Sequence, residues 1–192
     1  MRPEVVEIRQ VPQRAIPEEA PAILAAGLVA HVGFVHEGRP HVIPTNYQYD
    51  PAEPDLIYIH GAHGSRMLQV LAEGGQACIT VSLIDGLVYS KSGRYHSNNY
   101  RSVVCYGTAR RVEDPQKKAS IFEAMIARYF SGRTAGRDYE PVAAQDIEET
   151  AVVAFHIEAW NAKARRGGPK GPHDTDDAFP GTCGVITFGA HH

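Results

Sequence analysis

"LVAHVGFVHEGRPHVIPTNYQY", residues 28–49, decides the fold class. Its halves, 28–35 and 40–49, are rich in β-branched and aromatic residues, and "HEGR", 36–39, has the length and the glycine of a hairpin turn. A proline-marked loop, "DPAEP" at 50–54, leads into a third such run, "DLIYIH" at 55–60. Three consecutive strands with short links predict an antiparallel meander. Pro44 falls inside the second strand; proline has no N–H to give a ladder, so an edge or a bulge is expected there, with neighbouring backbone groups free to meet a ligand.

Working outward, "IPEEAPAILAA" (16–26) reads as a short helix stopped at Gly27, and Ser65 can cap a second helix, "RMLQVLAEG", 66–74. "QACITVSLIDGLVYS" (76–90) predicts two strands with a turn at Asp85-Gly86, followed by a polar loop over 91–99. A long apolar strand over 100–112 is expected to bend at Gly107. The longest helix begins near Asp114-Pro115, places Ile121, Phe122, Met125, Ile126 and Tyr129 on one stripe, and stops around Ser131-Gly132. A strand over 150–160 precedes a glycine-, proline- and charge-rich stretch, 161–181, too long for an ordinary connector and expected to dock on the body. The short strand "TCGVITF" follows. Seven or eight strands, mostly hairpin-linked, with two or three helices and no α/β crossovers predict one domain over 1–192, a small antiparallel barrel with packed helices.

Composition excludes several classes. The chain of 192 residues carries a net charge of -3, so no global field draws it to nucleic acid or to an anionic membrane, and any anion site must be local. No apolar run is long enough to span a bilayer, and the start "MRPEVVEIRQVPQR" lacks the pattern of a signal peptide; a cytoplasmic address is expected. Cys78, Cys105 and Cys183 have no CxxC spacing, which argues against a disulfide scaffold and a thiolate zinc site. There is no GxSxG elbow, P-loop or GxGxxG, and no catalytic residue is assigned. The terminal Ala190, His191 and His192 are given no function.

Three stretches carry candidate chemistry. In "IYIHGAHGSR" (57–66) His60 and His63 straddle a strand end without a placed carboxylate or cysteine, which does not make a metal site. The turn instead delivers backbone N–H groups, the Ser65 hydroxyl and the Arg66 guanidinium toward one place, suiting a phosphate; alternatively Ser65 only caps and Arg66 faces water. "GRYHSNNYRSV" (93–103) gathers planar amides and two guanidinium forks, either a second phosphate-handling cluster or a polar loop. In "VIPTNYQYD" (42–50) freed backbone groups and the Asn46 amide could edge a planar heterocycle, while Tyr47 and Tyr49 are strand aromatics. The basic run "KARRGGPK" (163–170) lacks any nucleic-acid recognition element.

Taken in order, "GRPHVIPTNYQYD", "IYIHGAHGSRMLQVL", "ACITVSLIDGLVYS", "HSNNYRSVVCYGTARRVEDPQKK" and "AKARRGG" resemble the flavin-nucleotide-binding proteins of the pyridoxamine 5'-phosphate oxidase-like superfamily, in the branch related to nitroimidazole-resistance proteins. The resemblance runs from about residue 14 to about residue 188. It implies an FMN-binding split β-barrel, a homodimer with two cofactors at the interface. Pro44, Thr45, Asn46 and Tyr47 would edge the isoalloxazine, largely through backbone, with His60 and Gly61 beside the ring or ribityl chain and Ser65 and Arg66 near the phosphate. Asn99, Tyr100, Arg101 and Ser102 match a block at the cofactor and subunit boundary, and Lys163 and Arg165 match a block in a tail that closes over the site. The aromatic cover that many relatives draw from a Trp at the position of Thr182 would come here from Trp160. The implied activity is a flavin-dependent oxidoreductase acting on a small molecule. The rivals are a non-catalytic flavin or haem binder, with His31, His36, His60, His63 and His96 as open ligands, and a pyridoxamine 5'-phosphate oxidase, which would need a substrate-phosphate site that the sequence does not single out.

Overall fold

A computed structural model describes residues 3–189; the terminal tripeptide Ala190 to His192 lies outside the described residues. The elements are β1 (Glu4–Val5), α1 (Ala20–Ala26), β2 (Ala30–His36), β3 (Arg39–Thr45), β4 (Gln48–Tyr49), β5 (Leu56–Ala62), α2 (Arg66–Ala72), β6 (Ala77–Tyr89), β7 (Ser97–Arg111), α3 (Pro115–Tyr129), α4 (Ala144–Glu149), β8 (Thr150–Arg165) and β9 (Gly184–Thr187). The sheet runs β3-β2-β6-β7-β8-β5-β4, with β9 added to β6 and β1 to β8. Every ladder is antiparallel except the two-residue β1–β8 pairing. This is a mainly antiparallel split barrel with accessory helices.

The hairpin that opens the meander closes through Glu37 and Gly38, whose φ angles of 49° and 73° are both left-handed, the geometry of a type I′ turn. β3 has one neighbour, β2, and Pro44 faces His31 across that ladder on an edge strand, where a missing N–H costs least. The second strand of the hairpin is not continuous to Tyr49. It breaks at Asn46 and Tyr47 because Tyr47 turns into the core and its backbone is taken by α3: the Tyr129 hydroxyl and the Arg128 guanidinium both bond the Tyr47 carbonyl, at 3.0 and 2.7 Å.

Alternation along β5 and β8 explains the layers. Ile57, Ile59, Ala151, Val153, Phe155 and Ile157 face the barrel interior, while Tyr58 and Val152 face the other way and pack with Ile121 and Met125 of α3. Both faces of this part of the sheet are therefore covered, and the run "TAVVAF" reads as continuously apolar for that reason. The α3 stripe is the predicted one, and Asp114 caps it by accepting the Gln116 N–H at 2.9 Å.

Three expectations are corrected. Asp85-Gly86 is a bulge within β6, not a turn between two strands; the register against β7 shifts there, and the bend lets the first half of β6 pair with β2 and the second with β9. A Cβ on Gly86 would stand 2.5 Å from the Ile186 carbonyl oxygen, so a side chain would push β9 away. The polar residues from Ser97 onward belong to β7, not to a loop, because they are paired to β6 on one side and from Tyr100 to β8 on the other. Finally, residues 161–165 continue β8: Ala162 and Ala164 are buried at alternate positions and the ladder with β7 reaches Arg165. The docked loop is shorter than predicted. It is tied down by Asp174, whose carboxylate accepts the Ser90 hydroxyl and the Lys91 N–H, both at 2.8 Å, and the Gly171 N–H. α4, short and polar, had no apolar period by which to be predicted.

Candidate functional site

The residues singled out in the sequence fall into two groups at opposite ends of β8. At the Thr150 end, Asn46, His60, Phe122, Met125, Tyr129 and Phe130 are among the walls of a cavity of about 420 Å³ between α3 and the sheet. Most of this lining is apolar, and His60 is its one imidazole. The His60 ring meets Phe122 edge-on at 5.6 Å, and its Nδ1 is buried with no hydrogen-bond partner among the described residues. Burial lowers the His60 pKa, so the ring is held neutral. His63, by contrast, is not among the walls of the cavity and donates from Nε2 to the Glu148 carbonyl at 2.8 Å, so the two histidines do not face one ligand.

Next to this cavity, Pro44 is exposed and Thr45 half-buried, and the Asn46 amide reaches only the Leu28 carbonyl, at 3.5 Å. These three present an edge with little internal demand on it. Tyr47 does not join them: its side chain is 0% exposed, and its hydroxyl donates to the Leu24 and Gly27 carbonyls at 2.6 and 3.1 Å, closing the C-terminus of α1. Arg128 lies over the Tyr47 ring at 4.4 Å and donates to the Leu24, Ala25 and Gly27 carbonyls. Tyr47 is thus a core strut. Gly61 lies where α2 crosses, with Leu68 Cδ1 3.2 Å from where its Cβ would be. Ser65 Oγ accepts the Leu68 N–H at 3.5 Å as the N-cap of α2, and Arg66 is exposed with no hydrogen bond or ion pair among the described residues. Capping, one of the two readings left open above, accounts for Ser65.

The other end of β8 is polar. Arg165, 8% exposed, donates to Asn99 Oδ1 at 2.6 Å and to the Gly167 and Gly168 carbonyls at 3.2 and 3.1 Å, while Asn99 Nδ2 donates to the same Gly167 carbonyl. Arg101 is engaged by Asp85 through Nε and Nη2, at 3.0 and 2.6 Å. Lys163 reaches the Gln10 carbonyl at 3.0 Å, and Ser102 the Lys163 carbonyl at 3.5 Å. Tyr100, half-buried, stands opposite Arg165 in the ladder. Within one chain, then, Asn99, Arg101, Lys163 and Arg165 fasten the strand ends, the loop and the N-terminal segment. Trp160 is 6% exposed inside the core and covers nothing at the surface; it sits at an inward position of β8, which corrects the expectation of an aromatic lid.

Beside this end lies a larger cleft of about 600 Å³, whose walls include Arg14, Arg94, Tyr95, His96, Arg165, Arg166 and Lys170. No Asp or Glu lines it. Arg166 is paired with Glu19 at 2.9 Å, a contact that lowers the Glu19 pKa, whereas the side chains of Arg14, Arg94 and Lys170 have no hydrogen bond or ion pair among the described residues. Arg14 escaped the sequence reading altogether, because nothing in "VPQRA" marks it. Lys170 was visible in a basic run, and Arg94 in a polar one, but their convergence was not.

The family model for pyridoxamine 5'-phosphate oxidase matches residues 17–164. Among curated proteins, none matches the chain. Among solved structures, the flavocytochrome Anf3 from Azotobacter vinelandii is 33% identical, with a TM-score of 0.82 over 96% of this chain and 84% of that one. A FAD and heme binding protein from Mycobacterium smegmatis is 28% identical, with a TM-score of 0.79 over 91% and 84%. A protein from Bacteroides thetaiotaomicron named for 5-nitroimidazole antibiotic resistance is 22% identical, with a TM-score of 0.64 over 78% and 86%, and shares the fold. A model matched over most of the chain, and a relative one-third identical along nearly all of it, establish that the chain belongs to the pyridoxamine 5'-phosphate oxidase family.

Proposed function

We propose that this protein is a flavin-binding redox protein, an oxidoreductase toward a small molecule, that works as a homodimer. The observation that carries the reading is the one-third identity kept along 96% of the chain to a flavocytochrome. The residues present fit a flavin. Pro44, Thr45 and Asn46 offer the open side of an edge strand and a weakly engaged amide to the ring, and Arg66 is a free cation for a phosphate. A bound flavin would supply the hydride and electron transfer; the chain would bind and orient it and set the charge near the ring. Dimerisation is supported by two observations. The candidate residues are divided between opposite ends of β8, so a single site using both needs two chains. The edge hairpin and its entry also expose Leu28, Val29, Val35, Val42 and Ile43, an apolar set that a second copy would cover.

The test is chromatography of whatever chromophore the purified protein releases, with FMN and FAD as standards. FMN is what the family pattern implies, while the FAD in the name of a relative favours the dinucleotide. Arg66→Ala should weaken FMN far more than riboflavin, since the contact is to phosphate. A colourless protein that takes up neither flavin would overturn the reading.

A second reading has its own observation. His60, neutral and lining an apolar cavity, would be the residue to hold a haem iron there, and two relatives are named for haem or cytochrome. We propose a haem there. Haem titration followed by a Soret band tests it; no uptake by the wild-type protein would remove it.

A further inference from the structure

We propose that the cationic cleft at the Arg165 end of β8 binds the adenosine diphosphate portion of a dinucleotide. Arg14 comes from the turn Pro12–Arg14, Arg94 from the turn Gly93–Tyr95, and Lys170 from the docked loop; three separate segments bring unpaired cations to one cavity. The chain as a whole is acidic, with a net charge of -3, so this local excess runs against the global field. It is not neutralised from within. No carboxylate lines the cleft, and Glu19, Asp85 and Asp174 beside it are each occupied, by Arg166, by Arg101, and by Ser90, Lys91 and Gly171. A ligand carrying two or more negative charges is what completes the cleft.

Size and rim narrow the class. A volume of about 600 Å³ is far larger than a lone phosphate needs and falls in the range of cofactor and nucleotide sites. Tyr95, 42% exposed on the wall, offers a ring on which a base can stack, and phosphate cradled by guanidinium beside such a ring is the chemistry of a nucleotide. The geometry is held in place beforehand. Buried Arg165 fixes the Gly167 and Gly168 carbonyls, and the Asp174 carboxylate fixes Gly171, so Lys170 is anchored on both sides. Two sources carry this moiety: FAD, a form that rests on the flavin reading above, and a nicotinamide dinucleotide acting as reductant.

The experiment is calorimetric titration of ADP into the full chain, before and after removal of any flavin, with Arg94→Ala/Lys170→Ala, Lys170→Glu alone, and Arg110→Ala as a control cation outside the cleft. Binding that falls at least about tenfold in the double variant and in Lys170→Glu, with Arg110→Ala unchanged, supports the proposal. If ADP displaces FAD but not FMN, the source is FAD; if it binds the flavin-loaded protein and is displaced by NADPH or NADH, the source is the nicotinamide dinucleotide. ADP that fails to bind, or binds the double variant as it binds wild type, overturns the proposal. A chain that retains flavin yet ignores ADP loses this inference alone, and a chain that binds ADP but no flavin loses the flavin reading alone.

Discussion

The two ends of β8 present opposite chemistry. At the Thr150 end the strand is covered on both faces, and the cavity there is walled by α3 with a neutral imidazole in it. At the Arg165 end the strand is fastened by charged and amide side chains, and the cleft beside it holds Arg14, Arg94 and Lys170, which no acid among the described residues pairs with. The difference follows from what each end is packed against. An amphipathic helix lies on one, and turns and a glycine-rich loop lie on the other, so one cavity is lined mostly by apolar side chains and the other largely by cations. The pocket proposed for haem and the cleft proposed for an anion therefore lie at opposite ends of one strand, and each is expected to act independently of the other.

That independence can be broken on purpose. The largest effect is expected from His60→Ala, which should abolish the Soret band of haem-titrated protein while leaving ADP affinity at the other end unchanged; loss of both would mean the two ends are coupled through the strand. Next is Arg128→Ala. It removes a guanidinium that holds the Leu24, Ala25, Gly27 and Tyr47 carbonyls, and should cost about 2–4 kcal/mol in denaturant unfolding, since hydrogen bonds to charged groups in partly buried sites are among the stronger ones. The apolar cavity should suffer first, because α3 is its wall.

Asp174→Ala acts on the other end only, and should open residues 166–183 to limited proteolysis without shifting the unfolding midpoint of the barrel. Burial opposes ionisation of Asp174, but the Lys91, Gly171 and Ser90 donors together hold its carboxyl below the usual range. A lowered carboxylate pKa means that this anchoring is complete above the ordinary Asp range and is lost as pH falls through the lowered value. Protease sensitivity of the loop should therefore rise in acid in wild type and be flat with pH in the variant.

A smaller change is expected at alkaline pH. Burial pushes the hydroxyls of Tyr47 and Tyr49 up to about 12 each. The unfolded chain ionises near about 10, so the contribution of these groups is whole below that pH and declines as pH rises toward 12. Tyr47→Phe should flatten this alkaline loss, measured as denaturant midpoint against pH, without touching the basic cleft. Smallest of all, Ser65→Ala should cost about 0.5–1 kcal/mol as a lost N-cap.

Much of the fold was legible because its signals are local. The type I′ turn at Glu37-Gly38, the proline on an edge strand, and the α3 stripe from Ile121 to Tyr129 each rest on a few adjacent residues with a strong conformational preference. Where a signal had two local readings, the structure chose by partners. Asp85-Gly86 could be a turn or a bulge, and pairing of both flanks to β7 makes it a bulge. "NAKAR" could be a loop or a strand, and burial of Ala162 and Ala164 makes it a strand.

The candidate site was legible in composition and not in arrangement. The resemblance picked out His60, Asn99, Arg101, Lys163 and Arg165, yet whether a polar residue is free or spent depends on who stands beside it. Arg101 is spent on Asp85, sixteen positions away, and Arg165 on Asn99, sixty-six positions away. The free cations of the cleft, Arg14, Arg94 and Lys170, are ordinary in sequence and become a group only when two turns and the docked loop meet. By itself the sequence determined an antiparallel barrel, its family and the residue types of its site, because turn geometry, side-chain alternation and charge are properties of neighbouring residues. Only the tertiary structure decided that Tyr47 and Trp160 belong to the core, that His60 faces an apolar cavity, and which cations remain unpaired, because desolvation and pairing are set by contacts between residues far apart in the chain.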